Sequence, residues 1–270
     1  MSRPSLALLL ASLLWGTSFP ATEYALIYFS PGPIIFLRFS LSTLILVLLF
    51  RRLPTLHGYG LLAGVLNALA FGFQFFGQVH TTASKVAIIS NTFPVYTAVL
   101  SPLLLGEQPT GRQILALILG LSGVFLVGGV YNLSNVNVGD LMNFVASLLY
   151  AFYVIYSRKA MATMDPVGFT LTAGFSSTLV SLFYLPIGFR VALHPVGIAA
   201  MAWLVVFPST LGYLLYAYGI RGKGAISSSI LILSTVLFGA FTSLLLLGET
   251  LSPTEWVGLG LIALAILMAG

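Results

Sequence analysis

Six carboxylates, three imidazoles and not one thiol are the acid–base and metal-binding side chains of this 270-residue sequence. The carboxylates are Glu23, Glu107, Asp140, Asp165, Glu249 and Glu255; the histidines are His57, His80 and His194. Covalent catalysis needs a nucleophile within hydrogen-bond reach of a base, and a metal centre needs several ligands converging on one point. Here each histidine falls near the end of an apolar run, with no carboxylate spaced to pair with it. A membrane-embedded enzyme, a metal site and a bound cofactor are therefore not expected. Without cysteine there are no disulfides, no thiolate chemistry and no cysteine-held metal. Nor is there a glycine-rich phosphate loop that would hold ATP.

The remaining chemistry is recognition, carried by polar and aromatic side chains inside long apolar runs. Such groups are costly in lipid and so face a cavity or a neighbouring helix. Asn91 sits mid-way along one run, beside Thr92 and three residues before Pro94, whose missing N–H frees a backbone carbonyl. It reads as a substrate contact or as an interhelical hydrogen bond. Ser234 stands near the matching place of a later run. Gln74 and Gln78 lie one helical turn apart and share a face, which lines a cavity or makes a packing bond. Trp15, Tyr150, Tyr153, Tyr213 and Tyr216 lie too deep in their runs for an interfacial belt. Together they describe an amphipathic aromatic box, since each buried hydroxyl needs a partner; ordinary aromatic packing is the other reading. These nine are the expected substrate-binding residues. Glu23, Arg38 and Lys85 are the expected gating or coupling residues. For Glu23 and Lys85 the alternative is a solvated interface. For Arg38 the alternatives are a snorkelling stem or a contact to a substrate carboxylate or phosphate.

The elements that must position these groups follow from composition. The sequence is 59% hydrophobic and 6% charged, with a mean hydropathy of +1.06, whereas a soluble domain carries roughly a quarter charged residues. Its surface must face lipid. The net charge of +5 does not point to nucleic acid, because the basic residues fall singly or in pairs at run ends and form no basic face. The first apolar run contains Trp15-Gly16 and no convincing small-residue cleavage pattern. It reads as a retained helix and not a signal peptide.

A helix crossing about 30 Å of hydrocarbon needs about 20 apolar residues. Ten spans are expected: 4–24, 34–50, 60–79, 83–105, 111–130, 139–157, 166–188, 196–220, 225–247 and 253–270. With the N-terminus in the cytoplasm, eight basic residues lie inside (Arg3, Arg51, Arg52, Arg112, Arg158, Lys159, Arg221, Lys223) and two outside (Lys85, Arg190). Both termini are then cytoplasmic. Residues 1–130 form a first five-helix repeat and 139–270 a second, joined by an uncharged loop over 131–138. Five helices is an odd number, so the second repeat is inverted relative to the first.

The repeat is visible in the residues. At an offset of 142 (249 − 107), Leu103-Leu104-Leu105-Gly106-Glu107 falls on Leu245-Leu246-Leu247-Gly248-Glu249, and Ala83 falls on Ala225. In each copy a capping residue opens the helix after the Gly-Glu turn: Thr110 with Gln113, and Ser252 with Glu255. Glu107 and Glu249 read as ion-coupling groups or, more simply, as acceptors for backbone N–H groups of their own turns.

Leu14-Trp15-Gly16-Thr17-Ser18-Phe19, Leu37-Arg38-Phe39 and the duplicated Gly-Glu turn together resemble the EamA-type branch of the drug/metabolite transporter superfamily. The resemblance covers essentially the whole chain. It departs from the pattern at Tyr150-Ala151, where a Trp-Gly pair often stands. It implies an all-α integral membrane fold, two inverted five-helix repeats around a central cavity, alternating access and a small-metabolite substrate. The expected function is secondary transport, most simply export, of amphipathic metabolites such as amino acids. Uptake of a quaternary amine, nucleoside or sugar derivative is the alternative. Phosphorylated substrates would want more intramembrane Lys and Arg than the sequence supplies. A channel is disfavoured by the absence of charge rings. The expected partners are a small-molecule substrate and a lipid bilayer, with no nucleic acid, and the protein is a monomer or homodimer. The expected location is a prokaryotic inner membrane.

Overall fold

The computed structural model describes residues 2–81, 83–128, 136–247 and 250–270. Glu249 and most of the expected connecting loop lie outside them. The described residues are all-helical. In chain order the elements are α1 (Arg3–Gly16), α2 (Ser18–Tyr28), α3 (Pro31–Phe50), α4 (Gly58–Gln78), α5 (Ala83–Ser90), α6 (Phe93–Leu104) and α7 (Gly111–Val127). They continue with α8 (Val138–Ala160), α9 (Pro166–Ser181), α10 (Pro195–Leu204), a π-helical stretch over Val205–Gly212, α11 (Tyr213–Lys223), α12 (Ala225–Ile232), α13 (Ser234–Leu247) and α14 (Pro253–Ala269).

Six continuous or nearly continuous rods are long and apolar enough to cross a membrane: Arg3–Tyr28, Pro31–Phe50, Gly58–Gln78, Val138–Ala160, Pro195–Lys223 and Ala225–Leu246. Ile88–Leu104, Gly111–Val127 and Pro253–Ala269 are shorter apolar helices. The expected span 166–188 is helical only to Ser181. Beyond it Phe183, Tyr184, Leu185 and Ile187 each donate to the carbonyl three residues back. Pro186 has no N–H to continue the helix, and Gly188 takes a left-handed φ of 55°.

Local chemistry sets the ends. Thr110 accepts from the Gln113 N–H while the Gln113 side chain accepts from the Thr110 N–H. Ser252 and Glu255 repeat the arrangement at α14, with Pro253 in the first turn. Asn137 and Asp140 form a third capping box at α8, one the sequence reading did not anticipate.

Three rods are interrupted. Between α1 and α2, Thr17 Oγ1 and Ser18 Oγ donate to the Leu14 and Trp15 carbonyls. Between α5 and α6, Pro94 supplies no N–H and Thr92 Oγ1 donates to Ile89 O. Between α12 and α13, Ser234 Oγ donates to Leu231 O. α5 ends at Ser90 and α12 at Ile232, the same 142-residue offset that relates the two Gly-Glu turns.

The most extensive packings are α4 on α8 and α7 on α14, followed by α4 on α9, α1 on α11, α3 on α9 and α10 on α2. The α7–α14 crossing depends on two glycines. A Cβ on Gly123 would lie 2.5 Å from Gly258 O, and one on Gly258 would lie 2.7 Å from Gly123 O. Small residues permit this approach, which supplies dispersion contacts where lipid removes the hydrophobic driving force. One apolar cluster joins α1, α8, α11 and α12 through Leu8, Val154, Tyr216 and Ile230. A second joins α2, α3, α4 and α10 through Ala25, Ile35, Phe75 and Leu204.

Candidate functional site

The π-helical stretch holds two of the site's side chains in place. Pro208 lies inside it and cannot donate, and Thr210 Oγ1 donates to Val205 O five residues back. The wider turn leaves Pro208 O free to accept from Trp15 Nε1 at 3.0 Å. It also places Ser209 Oγ 3.0 Å from Arg38 Nε. Such bulges recur at functional sites because they expose backbone groups that a regular helix would consume.

Trp15, held by that bond, packs edge-on to Tyr213 (ring centroids 5.3 Å apart) and against Tyr216 (5.5 Å). Tyr153 stacks on Tyr216 at 5.5 Å. Tyr150 meets Phe71 edge-on at 6.1 Å, and its hydroxyl donates to Gln74 Oε1 at 2.6 Å. Tyr213 OH exchanges hydrogen bonds with the Asn67 amide, at 3.1 and 3.3 Å. Arg38 is buried, with its Cζ 5.1 Å from the Phe71 ring centroid.

These side chains line a cavity of about 400 Å³. Of the twelve residues expected from sequence, ten border it: Trp15, Glu23, Arg38, Gln74, Gln78, Asn91, Tyr150, Tyr153, Tyr213 and Tyr216. Ser234 is buried, with its hydroxyl donating to the Leu231 carbonyl of α12; its neighbour Thr235 borders the cavity instead. Lys85 does not border it and pairs with Asp140 at 2.8 Å. Asn67, Phe71 and the π-helical stretch were missed. Asn67 was legible: it precedes Gln74 by seven residues and Gln78 by eleven, so the three share one polar stripe of α4.

The cavity runs from Trp15 and Tyr213 to Glu23 in α2 and to the helix ends marked by Gln78, Gly128 and Glu255. At the opposite end of the molecule, Glu107 ties together three elements. One oxygen accepts from Arg158 Nε at 2.9 Å, the other from the Ala225 N–H at 2.8 Å, and Arg158 Nη1 donates to Arg221 O at 2.9 Å. Glu107 thus caps α12, in the other half of the chain, where the sequence reading had offered ion coupling or acceptance from N–H groups of its own turn.

Compared with known families, the sequence matches the EamA-like transporter family over residues 3–129 and 137–270. The chain belongs to the EamA-like transporter family. Among its relatives, the uncharacterized transporter YwfM of Bacillus subtilis is 28% identical over 98% of this chain and 92% of its own. The uncharacterized transporter YyaM of the same organism is 26% identical over 81% and 78%. An uncharacterized transporter of Archaeoglobus fulgidus is 23% identical over 97% and 96%. A solved crystal structure superposes on 100% of this chain and 96% of its own, with a TM-score of 0.82 at 15% identity, a likeness that speaks to the fold alone. This EamA-family protein is therefore a multi-pass integral membrane transporter. Large apolar side chains such as Leu48, Leu49, Leu103 and Phe183 are exposed on its surface, as a chain that faces lipid requires.

Proposed function

We propose that this protein is a secondary transporter that exports small amphipathic metabolites such as amino acids by alternating access. The observation that carries this reading is the asymmetry of the cavity. It reaches one end of the molecule, between Glu23 and Glu255, while the other end is shut by the Glu107–Arg158–Ala225 cluster. A carrier caught facing one side has this shape, whereas a conducting channel is open along its length. The wall is aromatic and weakly charged, which suits a substrate with an apolar side group and a few polar atoms.

Ten spans in two inverted five-helix repeats, with cytoplasmic termini, are the frame for that motion. The family's match falls in two stretches, one per proposed repeat. Packing recurs across them: α4 lies on α8 in the way the α10–α11 rod lies on the α1–α2 rod, and both the α5–α6 and α12–α13 rods break at the same offset. The proposed orientation puts the Glu107 cluster at the cytoplasmic face and the open end outside, in a prokaryotic inner membrane.

The quaternary-amine alternative is the weakest of the uptake readings, because Arg38 would place a like charge in the aromatic box.

The test is counterflow in proteoliposomes of defined orientation, with labelled aromatic and aliphatic amino acids, a nucleoside, a sugar and choline. Saturable exchange of an amino acid supports the reading. Exchange confined to choline, nucleoside or sugar overturns the substrate class, and sustained ion current across a planar bilayer overturns the carrier mechanism.

A further inference from the structure

The cavity contains a buried guanidinium that no carboxylate balances. Arg38 is 3% exposed. Its Nε donates to Ser209 Oγ and its Cζ stands over Phe71. Among the described residues it makes no other hydrogen bond and no ion pair. Withdrawing such a charge from water is costly, and a hydroxyl with an aromatic face returns only part of that cost. The acidic residues that border the cavity are Glu23 and Glu255. Glu255 closes the capping box at the start of α14, and neither is paired with Arg38.

The geometry says which anion would fit. With Nε on Ser209, the free edge of the guanidinium is the end-on fork of Nη1 and Nη2. Two parallel N–H donors match the two oxygens of a carboxylate. Arg38 is the one cationic side chain among the described residues that border the cavity, so one carboxylate matches the guanidinium and a second would have no cationic partner there. The surrounding Trp15, Phe71 and Tyr150 rings offer apolar area, and Thr235 Oγ1, buried without a partner among the described residues, offers one more polar contact.

We propose that Arg38 anchors the carboxylate of a small substrate that carries a single carboxylate group, held end-on by Nη1 and Nη2, whose apolar or aromatic side group lies among Trp15, Phe71 and Tyr150. This rests on the reading of the cavity as the transport site.

The experiment compares 3-phenylpropionate with its neutral isostere 3-phenylpropionamide and with phenyl phosphate, by calorimetry on the full chain in nanodiscs. The expected result is that the acid binds at least about tenfold more tightly than the amide, as a charge-assisted bidentate contact should. Arg38→Met abolishes that preference, weakening the acid much more than the amide, and Arg38→Lys restores part of it. Equal affinity of acid and amide in the unmodified protein overturns the proposal without depending on any variant's folding. So does tighter binding of phenyl phosphate, or no measurable binding of acid or amide. Flux separates this inference from the one beneath it. Transport of the amide with no preference for the acid overturns the Arg38 anchor and keeps the carrier. Tight, Arg38-dependent binding of the acid supports the anchor even where no probe crosses the bilayer, an outcome that counts against the cavity as a transport route.

Discussion

Glu107 Oε1 and Arg158 Nε stand 2.9 Å apart, with the second Glu107 oxygen on the N–H of Ala225. The carboxylate therefore holds the end of α8 and the start of α12 together, and it sits where the positive end of the α12 dipole stabilises it. Gly224, at φ 80°, turns the chain into α12; a Cβ there would lie 3.1 Å from the carboxylate oxygens.

That cluster is expected to act as a gate. Glu107→Ala removes a partly exposed ion pair and a helix cap, together about 1–2 kcal/mol. The population then shifts toward the state open at this end. The chain has no cysteine, so Ser228→Cys, at a buried position of α12, is a single-site reporter. Its labelling by a membrane-impermeant maleimide should rise severalfold in the Glu107→Ala background. Unchanged labelling would show that the cluster is not what closes the molecule.

Two glycines in one helix should respond oppositely to alanine. Gly258→Ala drives a methyl group into the Gly123 carbonyl and should cost about 1–3 kcal/mol by overpacking the α7–α14 crossing. Gly260 has open space around its Cβ direction, and Gly260→Ala should stabilise by up to about 1 kcal/mol through helix propensity. Melting temperatures in one detergent measure both; equal effects would mean that the crossing is not tightly packed.

Stability should depend on pH through Asp165. Hydrogen bonding to Arg52, at 2.8 and 2.9 Å, holds its pKa at about 2 against the usual value near 4. The folded value is the lower one, so the contribution is complete above about pH 4 and is lost as pH falls toward 2. Both side chains are over a third exposed, so screening limits the pair to about 1 kcal/mol or less. The melting difference between the unmodified protein and Arg52→Gln should accordingly be small at pH 7 and shrink between pH 4 and 2. A difference that grows on acidification would contradict this pairing.

Asn67 and Tyr213 should be energetically coupled. Asn67→Ala, Tyr213→Phe and the double variant form a cycle with an expected coupling of about 0.5–1.5 kcal/mol. The same variants should weaken substrate affinity together, since both residues border the cavity. Additive effects on stability would place the two side chains apart in the membrane.

Much of the backbone was legible in the sequence, because in lipid each backbone polar group must be satisfied within its own segment. Helix starts at Thr110 and Ser252 rested on partners three residues away and formed as read. The deep aromatic residues were recognisable because their types and depth were anomalous for lipid, without any knowledge of their neighbours. The end of α9 was misread: the apolar run continues to Gly188, but the hydrogen-bond pattern changes from Phe183 onward, and hydropathy does not register that change.

By itself, then, the sequence determined that this chain is a helical membrane protein of a transporter family and where most of its helices begin, and it nominated twelve side chains, of which the structure places ten on the cavity. Those properties depend on composition and on contacts within a few residues. Tertiary structure decided the pairings: Arg38 with Ser209 across 171 residues, Trp15 with the Pro208 carbonyl across 193, and Glu107 with the α12 N-terminus across 118. A buried polar side chain in lipid needs a partner, and which partner it meets depends on how each helix is rotated about its axis. That rotation is set by the packing of all the helices at once, through close approaches such as Gly123 on Gly258, and no local stretch encodes it.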